Sequence, residues 1–234
     1  MAERRVRVSR DPLSPPTRGQ RLLYRAAWYL LVVVGKAMFR VEIVGRDKLP
    51  RGRPFLLAPV HRSYLDFAFV VAAGSPGRRL RYLAKDTLWK GPLGRAWEAL
   101  GAVPVHRGSA DREALRACIG IVEREPLVIF PEGTRQLGPD VKPLFDGVAY
   151  VQSRTGVPIV PVGIGGSEAA WPKGRRIVRP HKIVVVIGDP IEAPEAEGAR
   201  ARRQSVRHQT ARVREEIQRL FDDAQRRAGT PNAG

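Results

Sequence analysis

The sequence is short of cysteine, histidine and acidic side chains, and each shortage excludes something. One cysteine, Cys118, in 234 residues rules out a disulfide framework and suits a reducing compartment. Four histidines and no C-x-x-C pair leave too few ligands for a structural zinc site, so no metal is expected. The chain has no G-x-x-x-x-G-K-[ST], no G-x-G-x-x-G after a strand, no G-x-S-x-G and no H-E-x-x-H. NTP, dinucleotide, serine-hydrolase and zincin chemistry therefore lack their signatures. Long hydrophobic runs are missing too: Leu22 to Phe39 is broken by Arg25 and Lys36, short of the ~20 apolar residues that span a bilayer. Acidic residues number 23 against 41 Lys+Arg, a net charge of +18, and a chain this basic should meet an anionic surface or polyanion. A nucleic-acid-binding protein is one reading of that charge. Against it, the basic runs carry no interleaved aromatics and no recognised nucleic-acid motif.

What is present, 43% hydrophobic and 27% charged residues, is the composition of one folded domain. The charge is uneven: residues 1–25 carry +5, residues 199–228 another +5, and the rest +8. Three segments follow: a basic arm and amphipathic helix over 1–40, a catalytic domain over 41–198, and a basic amphipathic helix and tail over 199–234. Met1 to Arg21, punctuated by Pro12, Pro15 and Pro16, reads as a mobile arm. The apolar run Ala26 to Gly35 is followed by Lys36, Arg40 and a strand-like Val41 to Val44 instead of a small-residue cleavage site, so no cleaved signal peptide is expected. Trp28 and Tyr29 beside Arg21, Arg25, Lys36 and Arg40 suit a helix lying in a membrane interface; a helix docked on the domain's own core needs the same apolar face.

From residue 41 onward strands and helices alternate. Val41 to Val44, Phe55 to Val60, Ala102 to Val105, Leu127 to Phe130, Val157 to Val162 and Ile183 to Ile187 read as strands. Tyr64 to Ala73, Ala110 to Arg124 and Leu144 to Arg154 read as helices, which makes an α/β domain. Cys118 shares a helix face with Ala114, Leu115, Ile121 and Val122 and is expected in the core. Val206, Val213, Ile217, Leu220 and Ala224 form one stripe of a last helix, which either closes the domain or faces a membrane. Trp171 to Gly174 reads as a loop near the site or a simple turn, and His181 and His208 read as surface residues.

Two segments concentrate chemistry: His61-Arg-Ser-Tyr-Leu-Asp66 and Phe130-Pro-Glu-Gly-Thr-Arg135, each at the end of a buried strand. Five residues are about 500° around an ideal helix, ~140° off face, so His61 and Asp66 meet only if the His precedes the helix. Ser63 as N-cap with Asp66 at N3 would start the helix after His61 and fold the His over its first turn. A carboxylate there holds one imidazole N–H and leaves the other nitrogen free as a base. Asp66 reads either as a helix cap alone or as a cap that also holds the histidine. His106 and Asp111 repeat the same spacing, and spacing alone does not choose between the pairs.

The order of blocks does choose. The chain resembles the glycerolipid acyltransferase family that includes the 1-acylglycerol-3-phosphate acyltransferases, through four ordered blocks: His61-x-x-x-x-Asp66, Gly101-Ala-Val-Pro-Val-His-Arg107, Phe130-Pro-Glu-Gly-Thr-Arg135 and Val157-Pro-Ile-Val-Pro-Val162. The resemblance implies a single-domain glycerol-phosphate-acyltransferase-like fold, a mixed, mostly parallel sheet flanked by helices. It implies that His61, oriented by Asp66, is general base on an acceptor hydroxyl that attacks an acyl thioester of CoA or acyl-carrier protein. Lys85, Arg107 and Arg135 would hold the acceptor phosphate, with Glu132, Gly133 and Thr134 shaping the acceptor site. No cofactor beyond the thioester co-substrate is implied. The partners are a lysophospholipid, the acyl donor and an anionic membrane, at the cytoplasmic face.

Three positions depart from the family pattern. Gln136 stands where Ser is common, His106 where Asp is common, and Asp146 where the family has Lys, which bears on the phosphate set or the acceptor. Glycerol-3-phosphate, a lyso-ornithine lipid or another lysolipid are the alternative acceptors. A catalytically silent lipid-binding relative is a further reading, opposed by the joint presence of His61, Asp66, Glu132 and Arg135.

Overall fold

The computed structural model describes residues 14–85, 89, 94–105, 111–172, 174, 177–195 and 198–232. Helix α1 (Arg18–Phe39) starts where Thr17 and Gln20 close a capping box: the Gln20 N–H donates to Thr17 Oγ1 at 3.2 Å and the Thr17 N–H to Gln20 Oε1 at 3.0 Å. The expected arm thus gives way to helix at Arg18; its residues before Ser14 lie outside the described residues. The helix ends at Arg40, which is left-handed at φ 47°.

Strand β1 (Glu42–Val44) and a 3-10 turn (Arg46–Lys48) lead to β2 (Leu56–Pro59), α2 (Asp66–Ala73), β3 (Arg81–Lys85), α3 (Gly94–Ala99) and β4 (Ala102–Val105). Then come α4 (Asp111–Val122), β5 (Leu127–Val128), α5 (Gly147–Thr155), β6 (Ile159–Gly165), α6 (Ser167–Ala170), β7 (Val184–Ile187) and α7 (Ala199–Ala228). The strands form one sheet in the order β1-β7-β6-β2-β5-β3-β4, parallel at every pairing except β6 with β7. This is the mixed, mostly parallel α/β architecture expected. Strand β3, with charged Arg81 and Lys85 at its ends, and α3 are additions that the alternation did not show.

Connections through α2 and α3 step toward one sheet edge, and those through α4 and α5 step back. Right-handed crossovers therefore put the two pairs on opposite faces. α1 packs on α2 and α3, and α7 on α5, β6 and β7. Val206, Val213, Ile217, Leu220 and Ala224 of α7 are all buried, so this helix closes the domain. Its apolar stripe is spent on the sheet. α1 does two things at once. Tyr24, Trp28 and Phe39 are buried against the domain, while Leu22, Leu30 and Val33 on its other side are each more than 60% exposed. With 22 residues it is long and apolar enough to cross a membrane, where the broken run suggested a shorter element. Cys118 is 2% exposed and burial pushes its thiol up to about 12, as a core cysteine requires.

Candidate active site

The parallel strands bring their C-terminal ends to one edge of the sheet, and both chemical segments emerge there, His61 after β2 and Phe130 to Arg135 after β5. His61 Nδ1 lies 2.9 Å from Asp66 Oδ2. The same oxygen accepts the N–H groups of Arg62 at 2.6 Å and Ser63 at 2.7 Å. Asp66 is fully buried, the His61 side chain 19% exposed. An ionised carboxylate only accepts, so Nδ1 carries the proton and the Nε2 lone pair is left free. Phe130 stacks on the imidazole, ring centroids 4.1 Å apart and 30° from parallel.

The helix starts later than Ser63. Its N-cap is Leu65, with no side-chain cap, and Ser63 Oγ instead donates to the Trp171 carbonyl at 2.8 Å while accepting from the Leu65 N–H. Only the reciprocal half of the capping box forms, Asp66 onto the Ser63 N–H. The Asp66 N–H goes instead to the Ser63 carbonyl at 3.4 Å, and the Ser63 oxygen is taken up by the Leu65 N–H. The Ser63–Trp171 bond also resolves the Trp171 segment, which sits at the site with its ring 5.1 Å from that of Tyr64.

Glu132 lies beneath the site. Its carboxylate is fully buried under the site, accepting from Arg62 Nη1 at 2.9 Å, the His61 N–H at 2.9 Å and the Lys142 N–H at 3.2 Å. It holds the backbone that carries His61 and presents nothing to an acceptor. Arg62, a residue the sequence reading passed over, is fully buried as well. Its guanidinium also donates to the carbonyls of His61, Gly138 and Asp140 and lies over the Phe221 ring of α7. The Gln136 N–H on the His61 carbonyl, at 2.9 Å, completes the tie between the two segments.

In front of His61 opens a cavity of about 500 Å³. Thr134 and Arg135 join His61 as its polar lining, with Gly133 beside them; Phe67, Tyr82, Leu83, Val128, Ile129 and Phe130 make an apolar wall. Burial pushes the Tyr82 hydroxyl up, keeping it neutral. The Arg135 guanidinium stacks over the Tyr64 ring, 3.2 Å from its centroid. Gly133 has φ +68°, and a Cβ there would sit 2.7 Å from the Phe145 ring, so both backbone and space demand glycine. Glu168 of α6 flanks the region; burial and then nearby Asp66 raise its carboxyl, while a bond with Gly138 and the charge of Arg62 lower it. Asp146 is not part of this cavity: its carboxylate accepts from Thr210 Oγ1 at 2.7 Å. Lys85 ends β3 at the same sheet edge, with only its backbone described, and His106 and Arg107 lie outside the described residues.

Residues 40–165, more than half of the chain, match the Acyltransferase family. Among curated relatives, the 1-acyl-sn-glycerol-3-phosphate acyltransferase BAT2 of Brassica napus chloroplasts is 28% identical over 165 residues, 68% of this chain and 47% of the relative. The mouse 1-acyl-sn-glycerol-3-phosphate acyltransferase alpha is 26% identical over 197 residues, 80% of this chain and 69% of that one. The chain thus spans about half the length of the plant relative. The crystal structure of the 1-acyl-sn-glycerophosphate acyltransferase PlsC from Thermotoga maritima superposes with a TM-score of 0.64 at 25% identity, covering 86% of this chain and 83% of PlsC. With the two chemical segments meeting at one sheet edge and the match running through both, the chain belongs to the Acyltransferase family.

Proposed function

We propose that this protein moves a fatty acyl group from an acyl thioester to the free hydroxyl of 1-acylglycerol-3-phosphate, giving phosphatidic acid. The observation that carries the reading is the His61–Asp66 pair at the head of an apolar-walled cavity whose polar rim holds Arg135. Nε2 takes the acceptor's hydroxyl proton as its oxygen attacks the thioester carbonyl. The tetrahedral adduct then collapses, the C–S bond breaks, and the imidazolium returns the proton to the leaving thiolate. Asp66 keeps the base in the right tautomer and stabilises the transient imidazolium. A base so placed contributes about 10²- to 10⁴-fold, or ~3 to 5 kcal/mol.

Arg135 is the phosphate ligand in this proposal, its planar fork suited to paired oxygens, with Thr134 beside it and Lys85 and Arg107 as further cations. The Asp146 carboxylate bonds Thr210 and does not line the cavity, which supports a phosphate-bearing acceptor there. The exposed apolar side of α1 seats the enzyme on an anionic membrane at the cytoplasmic face, where the acceptor resides.

The test compares purified protein and His61→Ala on lysophosphatidate with a long-chain acyl thioester. A loss of at least about a hundredfold in kcat supports the assignment. Equal turnover by the two, or none by the unaltered protein across several lysolipids, overturns it.

A further inference from the structure

A second concavity, of about 620 Å³, lies between α5 and the start of α7. Arg154, Arg202, Arg203 and Arg207 line it over a floor that includes Leu115 and Val206. All four arginines are exposed, and among the described residues none of them is in an ion pair. The contrast lies within α7 itself. Residues 199–214 hold six arginines and no acid, whereas in residues 215–228 the three arginines, Arg219, Arg226 and Arg227, are each paired with a carboxylate. Bare cations near a helix N-terminus also oppose its dipole, so the cluster is unfavourable until an anion joins it. Tyr150, 40% exposed, adds an aromatic face to the same concavity. The Asp146 carboxylate at one end is tied to Thr210.

Three features decide what the anion is. The volume suits a small molecule, with a partly apolar floor and a few charged groups. A flat bilayer seated on α1 cannot also cover it, because α1 and α7 lie on opposite faces of the sheet. And the groove adjoins the catalytic cavity: Asp146 and Gly147 line the groove, while the neighbouring Phe145 ring rests on Gly133 of the cavity and is 70% exposed. One side chain separates the two.

We infer that the groove binds the adenosine 3′-phosphate 5′-diphosphate end of an acyl-coenzyme A donor. The arginines take the phosphates, Tyr150 offers a stacking face for the base, and the thioester arm crosses Phe145 to reach His61. This rests on the proposed acyl transfer, and it makes coenzyme A, not a carrier protein, the donor.

The test uses the full chain with Arg202, Arg203 and Arg207 changed together to Gln, beside a charge-matched control with Arg219, Arg226 and Arg227 changed to Gln. Adenosine 3′,5′-bisphosphate binding is measured by calorimetry, and transfer is measured with acyl-coenzyme A and with acyl-pantetheine, which lacks the nucleotide. We expect the first variant to lose bisphosphate binding and to raise KM for acyl-coenzyme A at least tenfold, with KM for acyl-pantetheine and kcat unchanged, and the control to bind normally. No bisphosphate binding by the unaltered protein overturns the inference. So does an equal change for both donors or in both variants, or an effect seen only with acyl-carrier protein. Because calorimetry needs no turnover, a protein inactive toward every donor fails the acyl-transfer reading while the groove is still judged.

Discussion

At the scale of single residues, the candidate site is a hydrogen-bond network in which His61 is held at three points. Asp66 fixes its ring, Glu132 and Gln136 fix its backbone, and Phe130 covers one face. The Asp66 contact was legible in the sequence because a turn and a helix start are local. The Arg62–Glu132 pair was not, since nothing in a chain with 34 arginines marks Arg62 as one whose side chain is fully buried. Arg62→Met strands a buried carboxylate and is expected to cost about 3–5 kcal/mol. Adding Glu132→Leu removes that stranded charge, so the double variant should regain part of the lost stability in urea unfolding while its kcat stays low, since the His61 N–H has then lost its acceptor. A double variant no more stable than Arg62→Met would show that the burial of charge was not the cost.

At the scale of elements, α7 lies so close on β6 that glycine is required beneath it. A Cβ on Gly163 would fall inside the backbone of Leu220, and one on Gly165 inside that of Ala224. Gly163→Ala must push α7 outward or bend β6, and we expect a loss of about 1–3 kcal/mol, read as a lowered melting temperature. An unchanged melting temperature would contradict the close packing. Most strands were legible because buried parallel strands are unbroken apolar runs, as in Val157 to Val162. β3 escaped because Arg81-Tyr-Leu-Ala-Lys85 is neither a run nor an alternation; its Arg81 is buried in an ion pair with Glu125. The start of α2 was misplaced because the Ser63 oxygen accepts from the Leu65 N–H and not from that of Asp66, which goes to the Ser63 carbonyl.

At the scale of the whole molecule, the sheet separates two kinds of surface. One face carries α1 with its exposed leucines, the other the arginines of α7. The total charge hinted at an anion but not that its two clusters serve different faces, because sheet order is a long-range property. Leu22, Leu30 and Val33 changed together to Ser should leave the fold intact, as all three are exposed, and weaken pelleting with phosphatidylglycerol vesicles at least about tenfold. Equal pelleting of the two proteins would move the membrane contact elsewhere.

The anchoring of α1 into the domain has a practical corollary. The Tyr24 hydroxyl accepts the Leu80 N–H at 3.2 Å, and the Phe39 carbonyl accepts the Ile183 N–H at 3.0 Å, so the helix supplies partners to two strand starts far along the chain. Trimming it away to obtain a freely soluble enzyme would uncover Val71 and Phe69 and leave two backbone donors without acceptors. Solubility is better sought by recoating the outward side of α1 than by clipping it, because its inward side is also a wall of the domain.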